Sequence, residues 1–154
     1  MNIHTLIIIS INLLFSIQGF KDYSFFEQYK FNIAALQRGE KIRMLSSGFL
    51  HVDWQHFFFN MVSLYFFADI VISQLGSLNF YVVYLLSLTA GNLLSFYFHK
   101  NEPYYSAVGA SGAVTGIVYS AILLRPDMHM FIYFIPIPIP SYVVGVGYLL
   151  FSIY

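Results

Sequence analysis

Five apolar blocks separated by short polar stretches set out the chain. The first, "IHTLIIISINLLFSIQGF" at 3–20, is roughly 18 residues, near the lower limit for spanning a ~30 Å hydrocarbon core. Its N-terminal region has no Lys or Arg, and "SIQGF" is a poor small-residue cleavage site, so it reads as a retained transmembrane helix rather than a signal peptide. Residues 21–45 hold five of the seven basic and three of the seven acidic residues, which predicts a polar loop with short interfacial helix. A second span is predicted over 54–75, a turn at "GSLN", a third span over 80–98, and a fourth helix over 111–124 that ends before "RPD". Pro136, Pro138 and Pro140 forbid helix where they stand, because alternate prolines lack N–H donors and crowd the preceding turn. Helix can resume near Ser141, and 141–154 then reaches only roughly 21 Å at 1.5 Å per residue. The pattern predicts an all-α polytopic membrane protein, a helical bundle of about four complete spans plus a partial fifth, forming a single incomplete domain over 1–154.

Composition narrows this further. Of the 154 residues 58% are hydrophobic, 20% aromatic and 9% charged, with a mean hydropathy of +0.70. Soluble domains carry about 25% charged residues, so the chain belongs in a bilayer. Net charge is zero and no basic run suggests nucleic acid. With no cysteine, disulfides, thiolate catalysis and Cys-based zinc sites are excluded.

Polar groups inside spans are costly and are candidates for function. "HVDWQHFFFNM" opens the second span with His51, Asp53, His56 and Asn60. His56 and Asn60 are four apart and share a helix face. They either bond between helices or donate together to one oxygen. Asp69 falls on the opposite side and belongs to the far end of the bundle. His51 and His56 lie about 140° apart around a helix, a poor metal geometry with no third ligand, and no metal or other cofactor is expected.

"GASGAVTG" sets Ser111 between Gly109 and Gly112, with Gly116 completing G-x-x-x-G. Small residues at that spacing let helices approach closely. The serine also begins a helix, where first-turn N–H groups are unpaired and the dipole is positive, so an oxyanion formed there would meet donors in place. The nucleophile elbow of soluble hydrolases is not matched, since Ala113 stands where its last glycine belongs.

Taken together, "IRMLSSGFLHVDWQHFFFNM" and "GASGAVTG" resemble the rhomboid family of intramembrane serine proteases, from about Ile42 to the end. The resemblance implies Ser111 as nucleophile. The side chains of His56 and Asn60, with the Ser111 N–H, would form the oxyanion hole. His51 would fix the loop and helix entrance. Arg43 would hold the first loop by hydrogen bonds, although a snorkelling interfacial arginine fits the residues equally. Gly112 and Gly116, with Gly109 beside the serine, would let the fourth helix pack against a sixth. The implied substrates are single-pass transmembrane proteins cleaved near the membrane surface, with the lipid bilayer as the other partner, no nucleic acid and an open oligomeric state.

Departures from the family pattern are specific. The family's base is a histidine on the sixth helix, whereas the histidines here are at 4, 51, 56, 99 and 129. The printed chain is therefore expected to be a C-terminal truncation lacking its general base. Ile42 replaces a common Trp before the loop arginine, and Thr115 a common Tyr one turn past the nucleophile. The positive-inside rule puts the 21–45 loop in the cytoplasm, while the family puts it outside; the resemblance is followed here. The expected location is a bacterial inner membrane. The alternative expectation is a catalytically inert rhomboid-like protein that binds transmembrane helices.

Overall fold

The structure, a computed structural model, describes residues 2–130 and 138–146. Its long helices are α1 (Ile3–Lys21), α5 (Trp54–Leu75) and α6 (Ser77–His99), followed by the shorter α7 (Ser111–Leu124). Between α1 and α5 lie three short helices, α2 (Tyr23–Tyr29), α3 (Ile33–Gln37) and α4 (Arg43–Ser46), and a 3-10 turn at Ser47–Phe49.

Each long helix starts and stops for local reasons. The Asn2 side chain accepts from the His4 N–H to cap α1, and Asp53 accepts from the His56 N–H at 2.7 Å to cap α5. Asp53 is thereby spent on the backbone. Gly76, at φ 84°, ends α5 and is directly followed by α6, a left-handed link that only glycine adopts freely. The turn expected at "GSLN" is therefore one residue, and Ser77, Leu78 and Asn79 belong to α6 because Gly76 alone reverses the chain. Asp69 lies beside the amino terminus, where its Oδ1 accepts from the Asn2 N–H at 3.3 Å.

Among the described residues, three helices are long and apolar enough to cross a membrane: α1, α5 and α6. That corrects the expected four spans plus a partial fifth. Helix α7 has 14 residues, roughly 21 Å against a ~30 Å core, so a bilayer-depth position requires burial in the bundle. It is the innermost element: Ala113, Ile117 and Ala121 are fully buried between α5 and α6. Outward-facing apolar side chains on the other two helices, such as Phe66, Leu78, Leu86 and Phe98, face the lipid that replaces a soluble protein's water. Helical backbone does resume at 141–146; Pro136 and 147–154 of the expected partial span lie outside the described residues.

Two short antiparallel ladders complete the fold. Strand β1 (Phe31–Asn32) pairs with β2 (Ser106–Ala107) in the register Phe31↔Ala107. It clasps the first loop to the connector that feeds α7. Strand β3 (His129–Met130) pairs with β4 (Ile139–Pro140) beyond the other end of α7.

Candidate active site

The site is assembled from three elements. Helix α5 supplies His56 and Asn60, α7 opens with Ser111, and His51 stands in the turn before α5. His56, Asn60 and Ser111 line one cavity of about 470 Å³, with Phe67 and Tyr119 among its apolar walls. The 141–146 segment closes one side with Val144 and Gly145. It is held there by Tyr119, whose hydroxyl donates to the Gly145 carbonyl at 2.9 Å. Ser111 is exposed and Asn60 buried. The Asn60 amide donates back to the His56 carbonyl at 3.0 Å, which fixes its rotamer and leaves a second amide proton for the cavity. No side chain caps α7, so its first-turn N–H groups keep their donor capacity.

Gly109 sets the spacing between the serine turn and α5. Its φ is +132°, and a Cβ built on it would lie 2.8 Å from Nε2 of His56. Backbone conformation and space both demand glycine there. The imidazole of His56 therefore packs directly on the main chain two residues before Ser111. The Gly109 N–H donates to the Ser47 carbonyl at 3.0 Å, tying this turn to the first loop.

His51 is fully buried. Its Nδ1 lies 2.8 Å from the Ser16 hydroxyl, which also approaches the Phe49 carbonyl at 3.2 Å. A carbonyl can only accept, so the single Ser16 proton goes to Phe49 and the serine accepts from His51 Nδ1–H. Nε2 is then a bare lone pair without a partner among the described residues. The ring stands edge-on to His56, centroids 5.0 Å apart. Burial, with a smaller contribution from His56, pushes the imidazole down to about 4.

Arg43 is nearly buried. Its Nη1 donates to the Glu27 and Lys30 carbonyls at 2.7 and 2.9 Å, and its Nε to Glu40 at 2.7 Å. These bonds gather the ends of α2 and α4 around one guanidinium, which a snorkelling arginine would not do.

Gly112 and Gly116 face α6. A Cβ on Gly116 would overlap the Ser87 side chain, and one on Gly112 would lie 3.7 Å from the Ser87 carbonyl. Gly91 approaches the Gly112 Cα from the same helix. Close α6–α7 packing therefore uses these glycines first.

Sequence reading passed over two polar residues. Ser16 orients His51, and Asn92 on α6 donates to the Met44 carbonyl at 2.7 Å, docking the first loop. Both were visible as polar residues within apolar spans. Of the other histidines, His4 meets the Tyr81 hydroxyl at 3.0 Å at the far end, and His129 lies in β3. His99 stacks on Tyr105 and meets Glu102 at 3.0 Å.

The Rhomboid domain family matches residues 38–154, a range that holds Arg43, His51, His56, Asn60, Gly109 and Ser111. The chain belongs to the rhomboid family. This rhomboid is 31% identical over 101 residues to "Rhomboid protein 1, mitochondrial" of Saccharomyces cerevisiae, across 64% of this chain and 29% of that protein. It is 36% identical over 80 residues to "Putative rhomboid protease YdcA" of Bacillus subtilis, across 51% and 39%. Over 96 residues it is 34% identical to "Inactive RHOMBOID-like protein 8" of Arabidopsis thaliana, across 62% and 27%. The aligned stretch thus spans between 27% and 39% of these relatives' lengths.

Proposed function

We propose that this rhomboid carries the nucleophile and oxyanion hole of an intramembrane serine endopeptidase that cleaves single-pass transmembrane proteins near the membrane surface. Ser111 Oγ attacks the scissile carbonyl. The carbonyl oxygen, now anionic, is held by the Ser111 N–H and by His56 and Asn60 side chains. Such preorganised donors act most strongly where water is scarce. A helical substrate must unwind locally first, since its carbonyls are engaged in i→i−4 hydrogen bonds.

The observation that carries the reading is the shared cavity of His56, Asn60 and Ser111. Arg43 and His51 are positioning residues: one holds the first loop, the other backs the His56 ring. Gly109, Gly112 and Gly116 permit the close approaches around Ser111. The base that takes the serine proton is not among the five histidines of this chain, since only His56 lines the cavity and it serves the hole. The 154 residues are read as part of one rhomboid-type membrane domain, with α7 buried between the spanning helices α5 and α6. In a bacterial inner membrane the site would face outward. No cofactor is needed.

In the full-length protein, Ser111→Ala is expected to abolish cleavage of a transmembrane reporter. Asn60→Ala should lower kcat by roughly 10²–10³, as loss of one oxyanion donor does. The isolated 154-residue chain should release no product, because an unactivated serine hydroxyl is a weak nucleophile. Unchanged turnover in Ser111→Ala would reject the assignment.

A second reading has one specific support, the 34% identity to a relative named inactive. There the cavity would bind transmembrane helices without hydrolysis. Reporter capture with no cleavage by the full-length wild type would favour it.

A further inference from the structure

A second, polar cavity of about 320 Å³ opens on the first-loop lobe, away from Ser111. Lys30, Arg38 and Arg43 line it against a single lining carboxylate, Glu27, with Asn32 and Ser106 completing the wall. With Glu40, which binds both arginines from beside the cavity, three cations face two carboxylates, an excess of one positive charge on a chain that is neutral as a whole.

These cations differ in what they have left to give. Arg43 spends its guanidinium on two carbonyls and Glu40 and acts as scaffold. Among the described residues the Lys30 ammonium meets one partner, Glu27 at 2.6 Å, which leaves two of its three protons. Among the described residues the Arg38 guanidinium meets only Glu40, at 3.1 Å through Nη2, and its side chain is 65% exposed. The main chain beneath is fixed by the β1–β2 ladder and by Asn32, whose Oδ1 accepts from the Ala35 N–H. Donors on a fixed backbone with spare protons and net positive charge suit a phosphate monoanion or diester.

The setting indicates which phosphate. The lobe lies where α1 ends at Lys21 and α6 at His99, the depth of lipid headgroups. Around the cavity, Tyr23, Ile42 and Tyr104 are exposed at 77%, 60% and 94%. Such side chains are costly in water and at home in a membrane interface.

We propose that this cavity is a binding site for the phosphate of an anionic glycerophospholipid, with Lys30 and Arg38 as the recognising side chains. The site stands independently of the chemistry at Ser111.

The test uses the full-length protein in detergent, with lipid retention read by native mass spectrometry. Phosphatidylglycerol should be retained over phosphatidylcholine, and it should stay bound against millimolar inorganic phosphate. The pair Lys30→Gln/Arg38→Gln should weaken phosphatidylglycerol binding by roughly thirty-fold, each basic group near an anionic surface being worth about five-fold. Arg38→Gln alone, at an exposed position, should give about five-fold and guards against a folding defect in the pair. The charge-conserving pair Lys30→Arg/Arg38→Lys should restore retention. Equal retention of the two lipids, or unchanged retention in Arg38→Gln and in a folded double variant, would overturn the proposal. Displacement by inorganic phosphate would overturn the lipid assignment and leave a free-phosphate site.

Discussion

Two seams hold this bundle together by opposite means. Between α6 and α7, Gly91, Gly112 and Gly116 bring backbones into contact. No side-chain hydrogen bond joins the two helices among the described residues. Along α1, the buried face is Thr5, Ile8, Asn12, Ser16 and Gly19, and it is held by polar bonds. Asn12 Nδ2 donates to the Ile8 carbonyl at 2.9 Å and to the Tyr84 hydroxyl at 3.1 Å, and Ser16 joins Phe49 to His51. The orphans are also unequal. Among the described residues, the three buried side-chain polar atoms without partners, Thr5 Oγ1, Asn12 Oδ1 and His51 Nε2, lie on or against α1. The glycine seam has no room for added volume at Gly116. The polar seam is incompletely satisfied and sensitive to protonation.

Added volume should break the first seam. Gly116→Val is expected to cost about 3 kcal/mol, at the upper end for overpacking, because its side chain must displace Ser87 from a rigid helix. Ser87→Gly in the same background should recover most of that loss, read by thermal unfolding in detergent. Failure of that rescue would mean that α6–α7 contact does not limit this position.

Acid should loosen the second seam. The folded His51 is held down at about 4 from an ordinary 6.5, so the unfolded chain takes up its proton first. Stability is then whole above pH 6.5, falls as pH drops toward 4, and levels off below. The loss is about 3 kcal/mol at most. His51→Gln should flatten that limb of the stability–pH curve. Ser16→Ala should change its shape, because Nδ1 loses its acceptor.

The smallest effect should come from the Asn12–Tyr84 bond. A double-mutant cycle with Asn12→Leu and Tyr84→Phe is expected to give a coupling of about 0.6 kcal/mol, the usual value for a hydrogen bond between membrane helices. Unfolding in bicelles measures it. A coupling near zero would assign α1 docking to its apolar packing instead.

What the sequence made legible follows from how local each cause is. Helix α5 begins and ends where the pattern placed it, at 54–75, because Asp53 is a local start signal and Gly76 a local stop. The start of α7 at Ser111 was readable from Gly109, whose φ of +132° breaks the backbone two residues ahead. The start of α6 was missed by three residues, since Ser77, Leu78 and Asn79 look like a turn and only the φ of Gly76 shows that one residue suffices. That His56, Asn60 and Ser111 meet at one cavity rests on packing between α5 and α7; spacing supplied only the shared face of the first two. Ser16 was invisible as a partner of His51 because 35 residues separate them. Likewise, nothing in "GASGAVTG" says which helix its glycines will face. That choice was made by Ser87 and Gly91 on α6.

The one-residue joint at Gly76 gives α5 the mechanics of a lever. From that pivot to His56 is roughly 30 Å along the axis, so swinging α5 by ten degrees would carry the imidazole about 5 Å sideways and leave the opposite end of the helix almost still.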